Sequence, residues 1–167
     1  MGYIDGVREI TVQELHDIPV EKLMEVSKEI TDNYHSVHKT SRRLISNEMQ
    51  ALVYAAVRMP ATYAAVKSAL EHATIYNDIT IDTIIDVGAG TGAASLAAEE
   101  VFDSGHICLV EREPYMRKCG SRIFAAMGDE TLKTAQWYDE DILNDNTDRH
   151  ADLVMSSYMI NEIKLQD

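Results

Sequence analysis

The spacing of apolar residues divides the chain into a helical part and a part in which strands and helices alternate. Between residues 11 and 32, apolar side chains recur at helical intervals, which predicts a helix with a possible capping box that starts at Thr11. Residues 41–59 carry one apolar stripe and predict a second helix. Pro60 is predicted to begin a third helix, which ends before Asn77.

The pattern changes at about residue 82, where short apolar runs begin to alternate with amphipathic segments. Apolar strands that alternate with helices are typical of an α/β fold with a parallel, doubly wound, Rossmann-like sheet. The sequence therefore predicts an N-terminal helical segment over residues 1–80 and a sheet domain over residues 81–167. Strands are predicted at 83–87, 106–111, 134–138 and 152–156, and helices at 91–102, at 113–127 and from 161 onward.

The first predicted strand runs directly into three alternate glycines, Gly88, Gly90 and Gly92, and then into an alanine-rich helix. Glycines allow a tight turn and let the backbone approach a ligand where a β-carbon would clash. The free N–H groups at the start of the helix point toward the same place. We interpret this loop, together with Ala89, as a nucleotide-binding turn, and a glycine-rich turn without a ligand is the alternative.

Two acidic residues near the loop favour S-adenosylmethionine (SAM) as the nucleotide. Asp86 stands two residues before the first glycine, where dinucleotide-binding folds usually have an apolar residue. Its carboxylate can accept a hydrogen bond from the amino group of a methionine-type ligand, or it can cap the helix instead. Glu111 ends the second strand, where a carboxylate can accept both ribose hydroxyls of adenosine.

The neighbours of Glu111 leave two alternatives open. Glu111 would repel the 2′-phosphate of NADP, but the adjacent Arg112 keeps that cofactor possible. An ion pair of Glu111 with Arg112 or Arg117 on the surface is the other alternative. SAM remains the preferred cofactor, with Arg112 among the residues predicted to border it.

Residues after the third and fourth strands complete the predicted site. Asp139, Glu140 and Asp141 follow the third strand, and Asp141 is the first choice to accept a hydrogen bond from the adenine amino group, with Asp139 next. A solvated acidic turn is the alternative for this cluster. The segment after the fourth strand faces the methyl donor in SAM enzymes, so Tyr158 and Asn161 are predicted to face the substrate. Helix packing is the alternative for Tyr158. No catalytic base, nucleophile or metal site is identified.

Composition narrows the class of protein. The chain has 167 residues, of which 46% are hydrophobic, and this is enough for a globular protein with a core. The sequence contains no run of about 18 apolar residues, so no membrane-spanning helix is predicted. Cys108 and Cys119 have no CxxC partner, and we interpret them as reduced thiols of a cytoplasmic protein.

Charge is unevenly distributed along the chain, whose formal net charge is −13. Residues 33–70 carry five basic residues and one acidic residue, whereas residues 71–167 carry 19 acidic and 7 basic residues. The second region would repel a phosphate backbone, and the first would tolerate it. Lys39, Arg42 and Arg43 are therefore candidates for contact with RNA, and a solvated helix face is the alternative.

Three segments of the chain share a pattern with one family of proteins. Residues 54–66 are similar to its R-x-P-x-T-Y-A-A helix, residues 85–92 to its SAM loop, and residues 152–162 to its D-L-V-x-x-S-Y-x-L-N-E-L segment. The chain thus resembles the methyltransferase-like proteins associated with the small ribosomal subunit of bacteria and mitochondria. The SAM loop is common to many methyltransferases, whereas the other two segments are more specific.

This resemblance implies a class I methyltransferase fold, SAM as the cofactor, and a function on small-subunit rRNA or in ribosome assembly. A non-catalytic module that keeps the fold and binds RNA is the alternative, and a nicotinamide-dependent oxidoreductase is a weaker third. Sheets of this class have a seven-stranded layout, whereas four strands are predicted here. We expect strand four to lie beside strand one with its other edge unpaired, so the chain is either a fragment or completes its sheet as a homodimer.

Overall fold

The predicted strands form one parallel sheet in a computed structural model that describes residues 2–37, 44–75, 79–141 and 148–159. The order of the strands is β3-β2-β1-β4, and every neighbouring pair is parallel. This confirms the predicted α/β fold with a partial sheet and strand four beside strand one. The strands are β1 (Thr83–Val87), β2 (His106–Val110), β3 (Gln136–Tyr138) and β4 (Leu153–Met155).

The described residues also form helices before and between the strands. Three precede the sheet, and three connect β1 to β2 and β2 to β3. None of the described helices is long and apolar enough to cross a membrane. The helices are α1 (Tyr3–Leu15), α2 (Val20–Val37), α3 (Glu48–Thr74), α4 (Ala93–Phe102), α5 (Pro114–Ala126) and α6 (Glu130–Thr134).

The first predicted helix is in fact two helices. Helix α1 begins at Tyr3, and the Asp5 carboxylate accepts the Gly2 N–H at 3.2 Å, so the first helix start lies before residue 11. Thr11 lies inside α1, where its hydroxyl donates to the Val7 carbonyl at 2.9 Å, and the predicted capping box is therefore wrong. Pro19 separates α1 from α2 because a proline disfavours helical geometry in the residue before it.

The predicted boundary at Pro60 is also wrong, because α3 is a single helix of 27 residues that runs through this proline. Proline has no N–H to donate to the Ala56 carbonyl and costs about 3 kcal/mol inside a helix. Met59 and Tyr63, on either side of it, are 0% and 5% exposed. Each fully buried side chain of this size contributes about 1.5–3 kcal/mol, so packing outweighs the proline.

The third strand begins two residues later than predicted because a short helix precedes it. The Asp129 carboxylate accepts the Leu132 N–H at 3.0 Å and caps α6, which ends at Thr134. Leu132 is 1% exposed, so this turn is fixed by packing as well as by its cap.

The helices before the sheet share one hydrophobic core with it. Helix α3 packs on α4 and α5, and buried residues from α1 and α3 belong to the same cluster as those of the strands. Glu100 of α4 accepts hydrogen bonds from the Tyr3 N–H at 3.1 Å and from the Tyr63 hydroxyl, and it pairs with Lys67 at 2.5 Å. The division of the chain into two domains at residue 80 stays a prediction.

Strand β4 carries an exposed apolar side chain. Val154, in the middle of this strand, is 61% exposed. Apolar strand edges tend to pair with another chain. The homodimer expected at this edge stays a prediction.

Candidate functional site

The glycine loop lies where β1 ends, and it is tied to the end of β2. The N–H groups of Gly88 and Ala89 both donate to the Val110 carbonyl, at 2.8 and 3.1 Å. Gly88, Gly90 and Gly92 have φ angles of +70°, +59° and +86°. Residues with a side chain rarely adopt this left-handed conformation, so the path of the loop depends on the glycines.

The three glycines lie in different surroundings. A β-carbon on Gly92 would lie 2.6 Å from the Phe124 ring, so Gly92 permits packing against the core. A β-carbon on Gly88 would lie 2.6 Å from the Cγ atom of Met159, which covers this part of the loop. A β-carbon on Gly90 would meet only the Met116 methyl group, at 3.5 Å. Gly90 is therefore the glycine with free space beside it.

Asp86 is fully buried below the loop. Its Oδ2 atom accepts a hydrogen bond from the Ser95 hydroxyl at 2.8 Å, which fixes the first turn of α4. Its Oδ1 atom has no hydrogen-bond partner among the described residues. Burial raises the pKa of Asp86 to about 6, and the Ser95 hydrogen bond opposes this shift. A buried oxygen without a partner is uncommon and can take a donor from a ligand or a water molecule.

We expect Asp86→Asn to change the pH dependence of stability. The pKa of Asp86 is 3.8 ordinarily and about 6 in the folded chain. The contribution of Asp86 to the free energy of unfolding is therefore most favourable below pH 4, and it is lost as the pH rises through 6. The free energy of unfolding of the natural chain, relative to the variant, should fall by on the order of 2–3 kcal/mol from pH 4 to pH 7. Urea titrations at several pH values measure this difference, and parallel curves for the two proteins would contradict it.

Glu111 joins the glycine loop to the end of β2. It is 9% exposed, and its two oxygens accept the Gly90 N–H and the Glu113 N–H, both at 2.8 Å. Burial raises the pKa of Glu111, and these two hydrogen bonds oppose the shift. Arg117 donates to the backbone carbonyl of Glu111 at 2.5 Å. Each carboxylate oxygen can accept a second hydrogen bond, so Glu111 keeps capacity for a ligand.

The predicted adenine-binding acids lie beside Glu111 and face arginines. Asp141 pairs with Arg112 at 3.6 Å, and Asp139 pairs with Arg117 at 2.7 Å. The roles of Arg112 and Asp141 toward a cofactor stay predictions. Within the described ranges, no three His, Cys, Asp or Glu side chains are grouped in a way that would hold a metal ion.

A cleft lies between the glycine loop, α3 and the segment after β4. Its cavity volume is about 40 Å³, and it is open to solvent. The predicted residues Gly88, Ala89, Gly90 and Tyr158 line it, and Tyr158 is 62% exposed with a φ angle of +60°. Asn161 lies outside the described residues, as do Lys39, Arg42 and Arg43. The full lining is Tyr54, Met59, Thr62, Gly88, Ala89, Gly90, Thr91, Ala93, Ser157 and Tyr158.

Helix α3 supplies cleft residues that the sequence did not identify as site residues. Tyr54, Met59 and Thr62 line the cleft, and Ser157 joins them from the segment after β4. The segment at 54–66 stands out as family-like in the sequence. No local pattern indicates that this helix packs over a loop some 30 residues further along the chain.

Comparison with known proteins gives a matching family and matching solved structures. The family described as "Mitochondrial small ribosomal subunit Rsm22" matches residues 48–167, well over half of the chain. No curated protein matches the chain.

The solved structures that match include those of the plantazolicin methyltransferase BpumL in complex with SAH, with or without desmethylPZN analogues. The complex with the monoazolic analogue is 12% identical, with a TM-score of 0.48, over 80% of this chain and 48% of that one. The complex with the triazolic analogue is 14% identical, with a TM-score of 0.49, over 81% and 48%. The chain thus spans about half the length of BpumL.

Proposed function

This chain belongs to the family described as mitochondrial small ribosomal subunit Rsm22, and from that membership we propose that it is a SAM-binding, methyltransferase-like protein of the small ribosomal subunit. Its role would be to modify the rRNA of that subunit or to take part in its assembly, and so to serve translation. Both cysteines are free thiols, which suits a reducing compartment. The cytoplasm is our proposed location, although the family description names mitochondria.

The observation that carries this proposal is the hydrogen bond between Glu111 and Gly90. Gly90 lines the cleft, and its N–H is held at 2.8 Å by the carboxylate proposed to bind the ribose. One ligand can therefore reach both places, with its adenosine at Glu111 and its other end in the cleft. The buried Oδ1 atom of Asp86, which has no partner in the described part of the chain, supports a polar ligand beside the loop.

The contribution of this chain to methyl transfer would be orientation. When bound, SAM supplies a methyl group on a positively charged sulfur. The loop and Glu111 would hold the donor, while Tyr158, exposed at the mouth of the cleft, would face the acceptor. Fixing two reactants in line can supply a large part of a rate enhancement without a catalytic base.

A non-catalytic assembly module is the second candidate. The position of Met159 favours it, because this side chain lies where a β-carbon on Gly88 would be and so covers that part of the loop. Such a module would keep the fold and bind RNA through the basic region that includes Lys39, Arg42 and Arg43.

Two measurements test the proposal and separate the candidates. Calorimetric titration of the full chain with S-adenosylhomocysteine (SAH) should give heat of binding, and its absence in a folded sample would refute the SAM site. Incubation of the chain with small-subunit particles and with SAM that carries a tritiated methyl group then tests whether the methyl group is transferred to the particles. A labelled particle identifies an enzyme, whereas SAH binding without label identifies the assembly module.

A further inference from the structure

Helix α2 packs on α3 through one side, and a neighbouring side of the same helix is uncharged and exposed. Val26 and Ile30, each 4% exposed, belong to the core. Val20 and Met24 are 65% and 68% exposed, and they stand four residues apart, so they are neighbours on the helix surface. We propose that this exposed side binds a basic amphipathic helix of a partner protein. Helix α2 precedes residues 48–167, which match the family, so the inference is independent of the SAM site.

The order of residues along α2 explains why this helix has a second uncharged side. At about 100° per residue, the charged residues between Val20 and Tyr34 lie on an arc of about 120°, which leaves a wide uncharged arc. The Thr31 hydroxyl donates to the Ser27 carbonyl at 3.0 Å, so its polar group is already bonded within the helix. Residues at alternating intervals of four and three are typical of helices that pack on another helix. The part of the arc with this spacing is the α2 surface, which consists of Val20, Met24, Ser27 and Thr31.

Exposed apolar side chains are concentrated where α1 is followed by α2. In the described ranges, six large hydrophobic side chains are more than 60% exposed, and three of these lie between residues 12 and 24. Val12 lies in the last turn of α1, whereas Val20 begins α2 and Met24 lies one turn further along. Single exposed apolar residues are ordinary on a protein surface, but a group of them indicates an interaction site.

The charges around the α2 surface favour a basic partner. Residues 2–37, which include α1 and α2, carry eight acidic and three basic residues. Asp17 and Glu21 are exposed on either side of Val20 in the sequence. Glu25 pairs with Lys22 at 2.8 Å, but both side chains are more than half exposed, so a cation of a partner can compete for this carboxylate. Basic residues that flank the apolar side of a partner helix would therefore meet carboxylates of this chain.

The same charges argue against three other occupants of the α2 surface. A second copy would bring two acidic surfaces together, and each copy has a formal net charge of −13. A phosphate backbone and an anionic membrane would be repelled for the same reason. A helix with apolar residues at the matching spacing and basic residues beside them meets both requirements of the surface.

The test measures the binding of three labelled synthetic peptides to the full chain by fluorescence anisotropy. Each peptide has about 18 residues, which is long enough to form a helix. The first has leucines at alternating intervals of four and three with lysines beside them. The second has glutamates in place of the lysines, and the third has the composition of the first with its leucines at irregular intervals. We expect the first peptide to bind at least about 10-fold more tightly than either of the others, and its affinity to fall as salt is added.

Met24→Ser and Val57→Ser are a matched pair of variants for this test. Met24→Ser removes a large apolar side chain from the α2 surface and should weaken binding of the first peptide about 10-fold. Val57→Ser makes a comparable change on α3, at a side chain that is 54% exposed and lies outside the α2 surface, so the affinity should stay within about twofold. Because both side chains are mostly exposed, both variants should fold, and far-ultraviolet circular dichroism checks this.

Each outcome supports or overturns the inference. A preference for the first peptide that Met24→Ser reduces and Val57→Ser leaves unchanged supports it. Equal binding of the first and third peptides would show attraction by charge alone and would overturn it, as would an equal loss in both variants or no binding of any peptide. Sedimentation of the natural chain by itself tests for a second copy, and a dimer that Met24→Ser dissociates would also overturn the inference. None of these measurements involves SAH, so the result is separate from that for the proposed SAM site.

Discussion

Replacing Gly90 with arginine should abolish SAH binding, with an affinity loss of at least about 100-fold by calorimetry, while the chain still folds. Gly90 is the loop glycine with free space, because an added β-carbon would meet only the Met116 methyl group at 3.5 Å. The backbone angle of +59° would cost the new residue about 1–2 kcal/mol. The long arginine side chain would then fill the cleft, and the hydrogen bond from Gly90 to Glu111 would be strained.

Gly128→Arg is the matched control for this variant. Gly128 also has a left-handed backbone, with φ of +77°, but an added β-carbon there meets nothing within 4 Å. It follows α5 and is not among the residues that line the cleft. The control therefore repeats the backbone strain and the added positive charge without blocking the site. Equal binding of SAH by Gly90→Arg and Gly128→Arg would show that the cleft is not where the ligand lies.

The strands and the loop could be predicted from the sequence because their signals are local. Apolar runs such as Ile84 and Ile85 are followed directly by the glycines, and burial of both faces makes a strand of this kind easy to recognise. Asp86 and Glu111 were identified for the same reason, since each stands at a fixed place relative to a strand end. The structure places both beside the loop, one on Ser95 and the other on Gly90.

The rest of the site could not be predicted because it depends on contacts between distant segments. In the local sequence, Pro60 indicates the start of a helix. The burial of Met59 and Tyr63 nevertheless stabilises α3 as one helix that continues through this proline. The place of Thr62 in the cleft follows from that continuous helix and from the contact of Met59 with Thr91. Met159 over Gly88 is likewise a contact between β1 and the segment after β4, and no short pattern encodes it.

Gly120 is the position where a single side chain should damage the fold most. It is buried on α5, and an added β-carbon would lie 2.4 Å from the Trp137 ring and 2.8 Å from the backbone carbonyl oxygen of Thr91. We expect Gly120→Val to lower the free energy of unfolding by about 3 kcal/mol, because overpacking of this kind forces backbone and ring to move. Valine is a slightly better helix former than glycine, so helix propensity alone would predict a small increase in the free energy of unfolding.

Trp137 is the only tryptophan of the chain, so its fluorescence reports on this site directly. The ring packs edge-on against Phe124 with 5.4 Å between ring centroids, and its displacement should shift the emission to longer wavelength.

Ser121→Val, on the neighbouring exposed position of α5, introduces the same side chain without the contact and should cost well under about 1 kcal/mol. Urea titration gives both values, and similar stabilities for the two variants would contradict the packing described. Thr91 belongs to the glycine loop, so a shift of its backbone should move the loop as well. We therefore expect Gly120→Val to weaken SAH binding in addition to lowering stability.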